Sequence, residues 1–114
     1  MIAVTNCIRV HKGMGSHLET RFERPKHVHR MPGFVSMELL KNEQEEDYDE
    51  FVVRTVWQDR AAFDSWVRSE EFTRGHSRRE QADGNIIDFK VTIYDVVHRH
   101  QPAAVSDSSA DTAI

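Results

Sequence analysis

Residues 2–10 read IAVTNCIRV, and this stretch decides the fold because its side chains alternate with a period of two residues. The apolar side chains of one parity are Ile2, Val4, Ile8 and Val10. The alternation predicts a β-strand with one buried face at the start of the chain. Asn6 is the exception, because it falls in the apolar row, where burial is expected.

A short helix is predicted immediately after this strand. Ser16 is followed three residues later by Glu19, the spacing of a capping box. Leu18 and Phe22 then lie on one face of the helix. Pro25 has no backbone N–H to donate, so it should kink or shorten the helix.

The rest of the chain predicts three more strands and two more short helices. Acidic residues concentrate at 43–50 and predict a turn, while Asp59 and Ser69 can each cap a helix. The alternating segments that predict strands are residues 35–39, 51–57 and 87–97. The order strand, helix, strand, strand, helices, strand is the split βαβ pattern of a ferredoxin-like α+β sandwich, βαββαβ.

The predicted sheet carries more apolar surface than one layer of helices covers. Val35, Met37, Leu39 and the aromatic third strand supply this surplus. A sheet that is apolar on both faces implies a partner sheet. We therefore predict a symmetric homodimer whose sheets form a dimeric β-barrel.

Length and composition limit the classes of protein to which this sequence can belong. The 114 residues suit one domain, predicted over residues 1–100, and residues 101–114 predict a disordered tail. The net charge of −4 argues against nucleic acid as a partner, because phosphate binding needs clustered Lys and Arg. Cys7 is the only cysteine, so no internal disulfide is possible. With no signal peptide and no membrane-spanning apolar run, a soluble cytoplasmic protein is expected.

Three residues are candidates for chemistry, and each has an ordinary structural explanation. Asn6 could be a hydrogen-bond donor in a cavity or an amide satisfied by backbone. Trp66 follows Phe63 at helical spacing and is typical of a core aromatic, and His76 alone is typical of a surface histidine. The histidine pairs at 27–29 and 98–100 lack a completing ligand set, so both are interpreted as surface residues.

Six short motifs give these candidates a shared context between Met1 and about Val97. They are Val4-Thr5-Asn6, Met31-Pro32-Gly33-Phe34, Asp47-Tyr48-Asp49-Glu50, Thr55-Val56-Trp57, Phe63-Asp64-Ser65-Trp66 and Phe72-Thr73-Arg74-Gly75-His76-Ser77. With these motifs in this order, the sequence resembles the IsdG/HmoA-type heme-degrading monooxygenases, within the antibiotic-biosynthesis-monooxygenase-like (ABM) dimeric barrels. It departs from the family pattern at Pro25 and at Gly75, where alanine is usual.

The resemblance implies an enzyme that opens the porphyrin ring of heme and releases iron. Heme would be both substrate and cofactor, and molecular oxygen and an external electron donor, a reductase or a small-molecule reductant, would be required. His76 would be the axial ligand of the heme iron, and Asn6 would donate a hydrogen bond on the opposite side. Trp66 would press the porphyrin out of plane, and Phe22 would also contact it.

Two other functions remain open from the sequence alone. One is an ABM-type monooxygenase that acts on a quinol or polyketide without heme. The other is a heme-binding or heme-transfer protein with no turnover.

Overall fold

The computed structural model describes residues 1–73 and 85–103, and they form an α+β fold. Residues 70–73 are also helical. The elements in chain order are β1 (Ile2–His11), α1 (Ser16–Arg21), a 3-10 helix (Val28–Arg30), β2 (Phe34–Asn42), β3 (Tyr48–Trp57), α2 (Arg60–Val67) and β4 (Ile86–Asp95). None of the helices in these described ranges is long and apolar enough to cross a membrane. His76 and nearly all of the predicted tail lie outside the described residues.

The four strands form one sheet in the order β2-β3-β1-β4, and each neighbouring pair is antiparallel. This strand order is the one expected for the predicted ferredoxin-like sandwich, so the predicted fold class is confirmed. β1 is one of the two inner strands, and it pairs with β3 on one side and β4 on the other. The dimeric barrel stays a prediction.

Helix α1 starts differently from the prediction. Gly15 is its N-cap, Ser16 is already helical, and no side chain caps the end, so the capping box is wrong. The helix ends at Arg21, well before Pro25. The residues around this proline therefore follow an irregular path, as its missing N–H predicts.

The two later helices begin as predicted. Asp59 Oδ1 accepts a hydrogen bond from the Ala62 N–H at 2.8 Å, at the start of α2. Ser69 Oγ accepts one from the Phe72 N–H at 3.2 Å, at the start of the helical segment 70–73.

The core consists of two clusters on the sheet face that carries the helices. The α1 cluster is Ile8, Val10, Leu18 and Phe51. The α2 cluster is Ile2, Val4, Val28 and Trp57, with Phe63 and Trp66 of α2 packed against it. On β1, Asn6 occupies the position between the two clusters.

The prediction that Met37 and Leu39 supply a second apolar face of the sheet is wrong. Met37 lies opposite Thr55, and Leu39 lies opposite Val53, so both share the face that carries the helices. They pack against the α2 and α1 clusters respectively. Their apolar surface therefore belongs to the core, and the homodimer is left as a prediction that rests on the family resemblance.

The final strand also departs from simple alternation. A register shift between Arg9 and Val10 brings Ile86 opposite Val10, and Ile86 packs against the α1 cluster. Ile87, which the alternation predicted to be buried, is 44% exposed. The strand ends at Asp95, so Val97 lies beyond it.

Candidate active site

A cavity of about 610 Å³ lies between the sheet and the helices. Its floor is the middle of the sheet, and its walls include aromatic side chains from both helical regions. The floor residues are Val4, Asn6, Met37, Val53, Thr55 and Val91. The wall residues include Phe22, Val28, Phe63, Trp66, Val67 and Phe72. An apolar cavity with a few polar groups is the usual form of a small-molecule site.

Asn6 is on the floor because the alternation of β1 directs its side chain there. It lies opposite Val53 on one side and Val91 on the other. Its Oδ1 atom is buried and has no hydrogen-bond partner among the described residues. An unsatisfied buried acceptor of this kind costs about 1–3 kcal/mol. The Oδ1 atom therefore accepts no hydrogen bond from the backbone of the described residues.

Thr55 is the second polar residue of the floor, and the sequence did not single it out. The Trp57 Nε1–H donates a hydrogen bond to Thr55 Oγ1 at 3.0 Å. The Trp57 indole is fully buried, and the rings of Phe34 and Phe63 pack edge-on against it, with centroids at 5.5 and 6.0 Å. The only available signal was the spacing in Thr55-Val56-Trp57, which puts both side chains on one face.

Trp66 forms part of the wall together with Phe72, from the next helical segment. Their rings meet edge to face with centroids 5.7 Å apart. The break between α2 and residues 70–73 makes this contact possible, and Ser69 holds it by donating to the Trp66 carbonyl at 2.6 Å. The break falls at Arg68-Ser69, between the end of α2 and the helical segment 70–73, and His76, which lies beyond that segment, is outside the described residues.

Basic side chains line one part of the cavity. They come from the end of α1 and the irregular segment after it, and they are Arg21, Arg24, Lys26 and His27. Glu71 is the acidic residue among the described lining. His27 was interpreted as a surface residue; it is exposed, but it also lines the cavity. The signal that the sequence offered was the density of basic residues in 21–27, RFERPKH.

The buried carboxylate of the fold lies away from this cavity. Asp49 accepts a hydrogen bond from the Gly13 N–H at 2.9 Å and forms an ion pair with Lys12 at 2.8 Å. The Lys12 ammonium lowers the pKa of Asp49, with help from the Gly13 N–H. Lys12 also donates to the carbonyls of Glu43 and Glu45 at 2.8 Å. This group therefore ties the loop after β1 to the hairpin between β2 and β3.

The sequence profile of the antibiotic biosynthesis monooxygenase family matches residues 1–78. The chain belongs to this family. A heme-degrading monooxygenase of Bacillus thuringiensis (strain Al Hakam) is 36% identical over 106 residues, which cover 93% of this chain and 99% of that protein. The resemblance found in the sequence is thereby confirmed.

Two solved structures of relatives have the same fold. The structure of the heme-degrader MhuD from Mycobacterium tuberculosis, with two hemes bound in its active site, has a TM-score of 0.70 at 25% identity, covering 89% of this chain and 100% of that chain. A mutant of SnoaB, a cofactor-independent oxygenase from Streptomyces nogalater, has a TM-score of 0.69 at 21% identity, covering 86% and 94%. At 21% identity, the similarity to SnoaB shows a shared fold and nothing about activity.

Proposed function

We propose that this chain is a heme-degrading monooxygenase that opens the porphyrin ring and releases iron, using molecular oxygen and an external electron donor. One observation carries the proposal: Asn6, Phe22 and Trp66, which the family resemblance assigned to heme from three separate segments, line the same cavity. The similarity to the Bacillus enzyme over nearly its whole length supports the same activity.

The described lining fits a heme in size, apolarity and charge. A cavity of about 610 Å³ is within the range of roughly 300–1,000 Å³ typical of small-molecule sites. Phe22 and Trp66 offer apolar surface to a flat macrocycle. The cations Arg21, Arg24 and Lys26 line one part of the same cavity, where they complement the two carboxylates of a heme.

Each residue then has a distinct task. Bound heme supplies the iron and the redox chemistry, and the protein supplies orientation and hydrogen bonds. Trp66 is held by its contact with Phe72 and presses on the macrocycle. Asn6 supplies an amide to the ligand from a floor on which Thr55 is the other polar residue among those described. His76 would hold the heme by binding its iron.

We further propose that the enzyme is a cytoplasmic homodimer supplied with electrons by a separate reductase or a small reductant. Light scattering of the purified protein at micromolar concentration tests the dimer. A monomer mass with an intact fold contradicts it.

A hemin titration followed by turnover tests the activity. We expect a shifted Soret band on binding, then loss of that band and trapping of free iron when reductant and oxygen are added. His76→Ala should lose the Soret shift, and His29→Ala is the matched control because His29 is exposed and does not line the cavity.

The outcomes separate the alternatives. A stable heme complex that survives reductant and oxygen indicates a binding protein and contradicts the proposed activity. No Soret shift in the unmodified chain indicates an oxygenase that acts without heme.

A further inference from the structure

Basic residues are concentrated in one stretch of an acidic chain. Residues 21–30, RFERPKHVHR, hold four of the 15 Lys and Arg residues and one of the 19 Asp and Glu residues, so this stretch has a net charge of +3. The rest of the chain, with 11 basic and 18 acidic residues, carries a net charge of −7. A charge asymmetry of this kind indicates a surface that attracts acidic partners.

Three of these cations have no carboxylate that neutralises them. Arg24, Lys26 and Arg30 are exposed, and none of them forms an ion pair with a residue in the ranges 1–73 and 85–103. Most cations of the sheet are instead paired, as in Arg9–Asp88, Lys41–Glu43 and Arg54–Glu38. The positive charge of the stretch is therefore available to a partner.

The chain itself keeps these three charges close together. Arg24 and Arg30 are six residues apart, so their Cα atoms are separated by at most about 22 Å even in an extended chain. Val28 lies between them and is buried in the α2 cluster, which anchors the segment while Lys26 and Arg30 stay exposed. An interface of standard size, about 800 Å² on each partner, includes charges at this spacing.

The positive surface borders the cavity and continues past it. Arg24 and Lys26 line the cavity, whereas Arg30 does not. A ligand inside the cavity can use the first two charges and leaves the third unused. The charge of Arg30 therefore needs another explanation than ligand binding.

We propose that Arg24, Lys26 and Arg30, here called the basic surface, dock a small acidic protein that carries one electron at a time. The proposal rests on the proposed function, which requires electrons from outside the chain. Docking on the basic surface brings the carrier to the border of the cavity. Each encounter passes one electron from the reduced carrier to the ferric iron of bound heme, and no bond is made or broken. Complementary charge speeds such encounters and orients the two proteins.

Binding of a ferredoxin to the heme-free chain tests the basic surface without turnover. Calorimetry at low salt should detect binding that weakens as salt is added, because salt screens exposed charges. Arg30→Glu should weaken this binding about three- to tenfold, a modest part of the ten- to thousandfold that electrostatic steering supplies in total.

Lys90→Glu is the matched control and should leave the binding unchanged. Lys90 is exposed, and its position opposite Cys7 places it on the face of the sheet that carries no helices. The substitution makes the same change of charge away from the basic surface. Light scattering checks that neither variant changes the association state.

Heme loss supplies a second readout. When ferredoxin and its NADPH-dependent reductase supply the electrons, Arg30→Glu should slow heme loss by a similar factor. With ascorbate as the reductant the variant should match the unmodified chain, because a small molecule needs no docking surface. Its hemin affinity should also be unchanged, since Arg30 does not line the cavity.

The outcomes separate this proposal from the proposed function. No salt-dependent binding of ferredoxin, or equal weakening by Arg30→Glu and Lys90→Glu, overturns the docking surface. Binding to phosphatidylserine vesicles in place of ferredoxin also overturns it, because it assigns the surface to a membrane. If the unmodified chain binds no hemin, or binds it without degrading it in ascorbate and oxygen, the proposed function fails, while calorimetry still decides the docking surface.

Discussion

On the sheet face that carries the helices, the α1 cluster forms a closed half and the cavity over Asn6 forms an open half. The two halves are built in opposite ways. In the α1 cluster, Ile8, Val10, Leu18 and Phe51 are each at most 1% exposed. One position away on the same row of β1, Asn6 has a buried oxygen with no hydrogen-bond partner in the part of the chain that the structure describes, and Asn6 lines the cavity. The alternating side chains of β1 lie under both halves. The difference in packing therefore comes from the segments that cover each half and not from the strand.

The α1 cluster is closed because the start of α1 packs directly against the sheet. A Cβ atom added at Gly15 would overlap the ring of Phe51, so the start of α1 lies directly on that ring. Over the second half, α1 has already ended, and the segment around Pro25 borders the cavity instead of filling it. Phe22 and Val53 form the border, because both pack against the α1 cluster and line the cavity. The cavity thus lies over the middle of the sheet face, between the α1 cluster and the α2 cluster.

Removing the largest side chain of the closed half should have the largest effect. Phe51→Ala is expected to lower the free energy of unfolding by about 3–5 kcal/mol, the usual cost of deleting a buried phenylalanine. Val53→Ala, at the border of the cavity, is the comparison and should cost less, because its surroundings are already open. Urea denaturation measures both. Equal losses would mean that the two halves are packed alike.

Gly15→Ala probes the same contact from the other side. The added methyl group meets the Phe51 ring, and overpacking of this kind costs about 1–3 kcal/mol. Combining Gly15→Ala with Phe51→Leu should be less harmful than the sum of the two changes, because the smaller side chain makes room. Strict additivity in the denaturation curves would show that the helix does not rest on this ring.

The smallest expected effect is electrostatic and comes from the ion pair between Lys12 and Asp49. Lys12 and the Gly13 N–H lower the pKa of Asp49 below its ordinary value of 3.8. This carboxylate therefore contributes stability at neutral pH, and the contribution disappears as the pH falls below its ordinary pKa and through the lowered value. Lys12→Met should slightly destabilise the protein at neutral pH and reduce the loss in acid. Melting curves across this acidic range measure it, and an unchanged acid profile argues against the pairing.

The sequence predicted the strands and the starts of the two later helices, but only part of the cavity. Alternation in residues 2–10 identified the buried row and the exceptional Asn6, and the caps at Asp59 and Ser69 were local signals that the structure confirms. The faces of Met37 and Leu39 were misjudged because strand parity does not say which face the helices cover. Thr55 was missed because its place on the cavity floor depends on strand pairing and on where the helices lie, and the Thr55-Val56-Trp57 spacing was its only signal in the sequence.

The central claim is that Asn6 serves a ligand and not the fold. Asn6→Ala tests it, with Thr5→Ala as the matched control, because Thr5 is on the opposite face of the same strand.

Melting temperature and single-turnover heme loss should be measured on the same preparation. We predict that Asn6→Ala binds heme, melts no lower than the unmodified chain, and degrades heme about 10- to 100-fold more slowly, as expected for a lost hydrogen bond to a charged acceptor of about 1.5–3 kcal/mol. A variant that melts lower but degrades heme at the normal rate would contradict the claim.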